Sequence, residues 1–428
     1  MRINQLHIKN FKGFEDRIFE FSEQVTVLIG DNATGKSSVL DALAIAAGTY
    51  LLGVEGISPI QIRSIQKEEI RSIYYENGNE EKQGIVEIEA TGELKGEKIT
   101  WKRTLETEKG RTTTKYAQKF IKKVRQLHNS SLLDSINDIN PIIAYYGTGR
   151  LWVAHNKKTS SIKNIGYLDC LSSKSSVKEF IDFYQTIVSM VAEDDKLDKS
   201  ILNDACENSI LAMIEGGISM SYSHSRQDII FTIKNKKTSA TEIKPFKQLS
   251  DGYRSMISLV ADIAFRSWCI NPTFILPNQE QEGIVLIDEI DLHLHPNWQK
   301  HIIADLKRVF PKIQFIITTH SPFIVQGLKA SELINLDGIS PNGEPENHSL
   351  EENAMLMGVK DAKSKKFDEK TRVAEDYLKM VEKGKENIGE VERKKIMQDL
   401  DEMLIKFSDD PVFVAKLKIK KIAAFGEE

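Results

Sequence analysis

The chain has 428 residues, 40% of them hydrophobic, which permits a real core and either two or three domains or one domain with insertions. Its formal net charge is −4, so no global basic field advertises nucleic-acid binding. No signal peptide and no membrane-spanning apolar stretch are expected, and Cys170, Cys206 and Cys269 lack paired spacing, which fits a reducing, cytoplasmic compartment.

Taken in chain order, the apolar run Val25–Ile29 reads as a buried strand and Ser37–Ala47 as a helix. The loop between them, Gly30-Asp31-Asn32-Ala33-Thr34-Gly35-Lys36-Ser37, fits the pattern G-x-x-x-x-G-K-S. Glycine at 30 and 35 permits backbone shapes that turn successive N–H groups and a helix N-terminus toward anionic phosphates. Gly30, Asn32, Ala33, Thr34, Gly35, Lys36, Ser37 and Ser38 are therefore the expected phosphate-binding set for ATP. In it Lys36 reaches the β- and γ-phosphates and the Ser37 hydroxyl ligates Mg²⁺.

Further on, Gly84–Ala90 and Lys98–Arg103 alternate like paired strands, and Ile142–Tyr146 reads as another strand. Residues 155–248 are expected to form a helical or insert lobe, with helical periodicity over Val177–Val191 and a strand at Asp228–Ile233. Leu249-Ser250-Asp251-Gly252 then reads as a capped helix start, followed by an apolar-rich helix from Met256 to Trp268. A helix N-terminus is an anion site. If it is not simply a capped core helix, its natural ligand is a phosphate held by another subunit, so at least two copies associate when ATP is bound.

Gly283–Ile287 is apolar enough for a central strand buried on both faces, with Asp288 at its carboxyl end, where ligands gather in open α/β sheets. Asp288 is expected to hold Mg²⁺ and Glu289 to orient or deprotonate the attacking water. Phe315–Thr319 is a second such run, and His320 at its tip is placed to read the γ-phosphate. His293 and His295 have H-x-H spacing, which could mean zinc, but no third ligand is obvious; a loop that contacts the opposite subunit's site is preferred. After residue 345 the chain becomes charged and helix-prone, with apolar residues at helical spacing over Asp368–Lys383 and Glu390–Phe407. Lys119–Arg125, Lys234–Lys237 and Lys416–Lys421 are basic stretches, read as solvated faces rather than DNA grooves.

Together, Ile8-Lys9-Asn10-Phe11-Lys12-Gly13-Phe14, the phosphate loop, Asp288 to Pro296 and Thr319-His320-Ser321-Pro322 resemble the RecF/SMC/OLD-type branch of ABC ATPases. Ile143 to Trp152, Leu249 to Ser255 and Asp409 to Ala415 resemble a narrower group, that of the Septu anti-phage ATPase PtuA and retron-associated ATPases. The resemblance implies an α/β, P-loop ABC-type ATPase head, a mixed sheet with helices, bearing a helical lobe and a C-terminal helical tail. It implies boundaries at 1–154, 155–248, 249–345 and 346–428, the last serving assembly or partner docking. It also implies that Ser250 and Gly252 meet ATP bound by the other subunit, that Lys12 sits beside the nucleotide, and that Glu289 and His320 are catalytic. Asp251 departs from the usual paired glycines of the signature, and no Q-loop glutamine follows Ile142–Tyr146; Gln61 and Gln66 lie too early.

No nuclease or protease motif is evident, so the chain is not expected to cut anything itself. Three functions stay open: an ATPase regulating a separate effector, an HNH-type nuclease in phage defence; a RecF-like or SMC-like DNA-maintenance ATPase that binds DNA; and a nucleotide-binding oligomerisation module with little turnover.

Overall fold

The computed structural model describes residues 1–58, 62–107, 110–130, 139–149, 166–171, 181, 184–185, 207–235, 238–271, 280–359, 365–383, 389–405 and 411–425. Two compact units are present, Met1–Gly358 and Val359–Glu428.

The first unit opens with β1 (Arg2–Phe11), β2 (Phe14–Glu20), β3 (Val25–Ile29) and α1 (Lys36–Ala47). There follow β4 (Ser72–Tyr74), β5 (Glu80–Lys82), β6 (Val86–Leu94), β7 (Glu97–Leu105), α2 (Gln118–Ser130) and β8 (Ile142–Tyr146). Next are α3 (Asn208–Met213), β9 (Gly217–Ser223), β10 (Asp228–Lys234), β11 (Thr241–Pro245) and α4 (Asp251–Ile270). The unit closes with β12 (Gly283–Ile287), α5 (Pro296–Gln299), α6 (Ile302–Val309), β13 (Ile313–Thr318), α7 (Pro322–Val325), β14 (Leu333–Asn335) and α8 (Leu350–Leu356).

Its centre is a five-stranded sheet in the order β14-β3-β13-β12-β8, parallel throughout. Strands β3, β8, β12 and β13 are buried along their whole length, which explains their unbroken apolar runs. A four-stranded antiparallel sheet, β2-β1-β6-β7, pairs Gly92 with Ile99 and Ile8 with Ile88. Helix α1 touches strands of both sheets. That is why Val39, Leu40, Ala42, Leu43, Ala44 and Ile45 are all buried and polar residues are confined to its first turns, Ser37, Ser38 and Asp41 among them: a helix between two sheets is apolar nearly all round. Trp101 of β7 donates its indole N–H to the Ala46 carbonyl at 2.9 Å and fastens the helix end to the antiparallel sheet.

One polar residue joins the two sheets. Gln314 on β13 is completely buried; its Oε1 accepts from the Ile3 N–H at 2.9 Å, and its Nε2 donates to the Ile3 and Ser22 carbonyls at 2.8 and 2.9 Å. Behind the sheet, the Tyr146 hydroxyl and the Arg266 Nε both donate to Asp262 Oδ2 at 2.7 Å. Arg266 Nη1 also donates to the Gly166 and Leu168 carbonyls at 3.0 Å, tying α4 to β8 and to the 166–171 segment.

The expected strand pairs at Gly84–Ala90 and Lys98–Arg103 are β6 and β7, and the expected strand at Asp228–Ile233 is β10. The expected helical lobe over 155–248 is corrected for its described second half. There β9, β10 and β11 form a three-stranded antiparallel sheet after the short α3. The alternation Ile229, Phe231, Ile233 against Met220 and Tyr222 has period two, which selects strand. Most of Val177–Val191 lies outside the described residues, as do Arg150 to Trp152 and Lys236–Lys237.

The tail expected from 346 divides later. Helix α8, capped by a Ser349–Glu352 capping box, places Leu356 and Met357 in the core of the first unit. The second unit holds α9 (Lys365–Lys383), α10 (Glu390–Ile405) and α11 (Pro411–Phe425), close to the two helices expected from the apolar spacing plus one more. Its own core is Tyr377, Val381, Ile396, Leu400, Leu404 and Leu417. Among the described residues no helix is long and apolar enough to cross a membrane.

Because each bond of Gln314 reaches a backbone group of another segment, Gln314→Leu leaves buried donors and acceptors unmet. Its expected cost is at least about 2 kcal/mol, from roughly 1–3 kcal/mol per orphaned group. A urea titration should show a lower midpoint with an unchanged slope.

Candidate functional site

The phosphate loop leaves β3 through Gly30, at φ +147°, and enters α1 through Gly35, at φ +99°. A Cβ on Gly35 would stand 2.6 Å from the Phe14 ring, so the loop is packed as tightly as glycine allows. Asp337, just after β14, accepts the Asp31 N–H at 2.8 Å and steadies the first turn. Lys36 folds back over the loop and donates to the Gly30 and Asp31 carbonyls, both at 2.9 Å. Burial lowers its pKa, and the charges of Asp337, Asp288, Asp31 and Glu289 partly offset that.

Asp288 stands at the end of β12 and is 7% exposed. Ser37 Oγ donates to its two oxygens at 2.9 and 3.2 Å, and Thr318 Oγ1 donates to Oδ1 at 2.6 Å. The Thr318 hydroxyl in turn accepts the Glu289 N–H at 2.8 Å. Glu289 therefore sits in a held left-handed turn, φ +46°, directly after Asp288. Lys36, Ser37, Asp288 and Glu289, identified from the sequence, belong to one place. Thr318 belongs to the same place, although its sequence signal is faint: a hydroxyl ending an apolar strand beside Thr319-His320.

His320 is exposed, and its N–H donates to Asp291 Oδ1 at 3.3 Å, which also accepts from Thr319 Oγ1 at 2.6 Å. Asp291 thus holds the His320 turn to the loop after Asp288, a role its place in the quoted motif did not disclose. Ser250 is the exposed N-cap of α4, with φ −63° and ψ 157°, and its side chain makes no cap bond. Gly252 lies against the backbone of the same loop: a Cβ there would be 2.6 Å from the His293 carbonyl oxygen. Asp251, in place of the usual glycine, pairs with Arg254.

Lys12 is placed differently from the phosphate group. It pairs with Asp41 of α1 and with Glu69 at 3.4 Å, and Arg63 pairs with the same two carboxylates. The charges of Asp41, Asp288 and Arg63 all act on the buried Tyr145 hydroxyl, whose pKa is raised chiefly by burial. His295 caps α5, its Nδ1 accepting from the Asn297 N–H at 3.3 Å; among the described residues no group of three or more His, Cys, Asp or Glu is arranged to hold a metal. The zinc alternative therefore has no ligand set among them.

A nucleotide with Mg²⁺ fits these residues. A buried cation over the loop, a helix N-terminus behind it, and a hydroxyl beside a carboxylate supply what phosphates and a hard oxygen-liganded ion need. Magnesium takes few protein ligands and keeps water and phosphate for the rest, so Ser37 and Asp288 suffice.

A family model described as "AAA domain" matches residues 5–294. A retron Ec83 probable ATPase of Escherichia coli is 26% identical over 410 residues, 78% of this chain and 71% of that one. A retron Vc95 probable ATPase of Vibrio cholerae is 24% identical over 443 residues, covering 90% and 85%. Septu protein PtuA of Bacillus mycoides is 45% identical over 97 residues, 22% of this chain and 13% of that one.

Thr318→Val preserves shape but removes the donor to Asp288 and the acceptor for Glu289. The expected result is at least a tenfold loss of kcat, about 1.4 kcal/mol, with nucleotide affinity changed little. Steady-state hydrolysis beside equilibrium binding of labelled ATP measures both.

Proposed function

The chain belongs to the AAA domain family and is an ATPase of the retron and Septu PtuA type; from that premise we propose that it clasps ATP between two copies and so controls a separate effector. The observation that carries this reading is a division of labour. Lys36, Ser37, Asp288 and Glu289 gather at the strand ends, while Ser250 heads the 20-residue helix α4 with an exposed, uncapped side chain. The first group grips one nucleotide; the second presents a helix N-terminus to the γ-phosphate of another.

In this reading Lys36 neutralises the β- and γ-phosphates, and Ser37 with Asp288 holds Mg²⁺, which withdraws charge from the phosphate oxygens. Glu289 orients the water and takes its proton. His320 reads the γ-phosphate. Gly30, Asn32, Ala33, Thr34, Gly35 and Ser38 supply the backbone cradle. Lys12, which pairs with Asp41 and Glu69, is assigned here to the nucleotide's surroundings and not to the phosphate grip.

The effector we infer is an HNH-type nuclease in anti-phage defence, because no cutting motif was found in the sequence and the relatives are retron and Septu proteins. The separately cored unit at 359–428 is the proposed docking or assembly element.

Lys36→Ala should abolish ATP binding. Glu289→Gln should bind ATP, lose turnover and show a doubled or larger mass by light scattering, since Glu289 acts on the water and Lys36 on ground-state phosphate. An unchanged mass for Glu289→Gln with saturating ATP sinks the paired-site reading. DNA-stimulated hydrolysis by the chain alone would instead favour a DNA-maintenance ATPase. Deleting 359–428 should leave ATP binding intact and lose effector co-purification or higher assembly. A deletion variant that still recruits the effector removes the tail's assigned role.

A further inference from the structure

The loop from Glu289 to Gln299 touches two things at once. On one side the His293 carbonyl lies against Gly252, and Trp298 meets the Tyr253 ring edge to face at a centroid distance of 4.1 Å. On the other side it meets the His320 turn. Besides Asp291, the join is Gln299. Its Oε1 accepts from Ser321 Oγ at 2.6 Å, and its Nε2 donates to the Leu294 carbonyl at 2.8 Å. Ser321 Oγ also accepts the Phe323 N–H at 3.2 Å, capping α7, so its hydrogen bonding is committed. Ser321 and Leu294 are both buried.

We propose that Gln299 is a positioning residue for hydrolysis, carrying the state of the Ser250–Gly252 turn to His320. The Gln299 amide accepts from Ser321 and donates to Leu294 with one side chain; an ionised glutamate lacks the donor and leucine lacks both. A γ-phosphate that draws in the Ser250–Gly252 turn presses on the His293 backbone. Leu294, next in the chain, moves its carbonyl, and Gln299 passes the shift to Ser321 and so to the adjacent His320. Gln299 touches no nucleotide in this scheme. It acts on turnover through two neighbours.

This inference rests on the paired-site reading, and the experiment separates the two. Gln299→Leu, Gln299→Glu and Ser321→Ala are compared with the parent in full-length protein. All three should keep KM for ATP within about twofold and lose about tenfold in kcat. The double variant Gln299→Leu/Ser321→Ala should be no slower than the slower single one, since both cut the same link. Combined with Glu289→Gln, the Gln299→Leu chain should still associate with ATP by light scattering, which also shows that it folds. A Glu289→Gln chain that does not associate with ATP overturns the paired-site reading and this inference with it. A Glu289→Gln chain that associates, beside a Gln299→Leu variant with parental kcat or losses that multiply in the double variant, overturns the inference alone.

Discussion

Asp288 is a buried carboxylate, and the rest of the active end of the molecule is arranged around satisfying it. Taking a charge out of water costs several kcal/mol unless donors replace the solvent. The donors here are hydroxyls from two neighbours, Ser37 at the start of α1 and Thr318 at the end of β13. Since β13 lies between β3 and β12, the bonds draw three adjacent parallel strands together at their carboxyl ends. Hydroxyls suit the task because they rotate. Each donates to a carboxylate in the free protein and has lone pairs left for a cation or for another N–H. Thr318 already uses that capacity on Glu289. An apolar residue at either place would leave the carboxylate short of a donor, and at 318 it would also release the Glu289 turn.

The local strain follows from the same demand. Lys12, Ala33, Glu289 and His293 are non-glycine residues with φ between +46° and +66°. Such conformations cost of order 1–3 kcal/mol each and persist only where neighbours hold them. Glu289 is held by Thr318 through its N–H and by the Leu292 N–H, which donates to its carbonyl at 3.0 Å. The gain is geometric: a residue that follows a straight strand would continue its direction, whereas a left-handed turn swings the Glu289 side chain away from the line set by Asp288.

What the sequence displays is governed by which interactions are local. The phosphate loop, the buried strands at Val25–Ile29 and Gly283–Ile287, and the acids at 288–289 are legible because each is a contiguous pattern. Gln314 is not, since a lone amide in an apolar run gives no hint that it serves Ile3 and Ser22 some 300 positions away. Thr318 and Asp291 are hidden for the same reason: their partners come from other strands. Lys12 shows the opposite failure. Its motif is visible, yet Asp41 and Glu69, which hold it, are set by tertiary contacts. The strands β9 and β11 carry exposed polar residues, so their alternation is faint, and a helical lobe was the natural expectation there.

Coupling between the Ser250–Gly252 turn and His320 has few routes, because α4 is not free to move as a whole. Asp262 and Arg266 anchor its second half to Tyr146 and to the carbonyls of Gly166 and Leu168. Arg266 is buried, so breaking that anchor would strand a charge. Motion is therefore cheapest in the first turn, where Ser250 is exposed and uncapped and Gly252 rests on the His293 backbone. That backbone is fixed at its origin by Asp288 and at its end by Gln299, with two left-handed residues, Glu289 and His293, between. A segment so short and so bounded does not deform smoothly; it exchanges one set of bonds for another. Among the described residues Asp291 and Gln299 bond to the Thr319–Ser321 turn itself, while Glu289 and Ile290 bond to Thr318 just before it, so a shift passed from α4 along this loop reaches His320 most directly through Asp291 and Gln299.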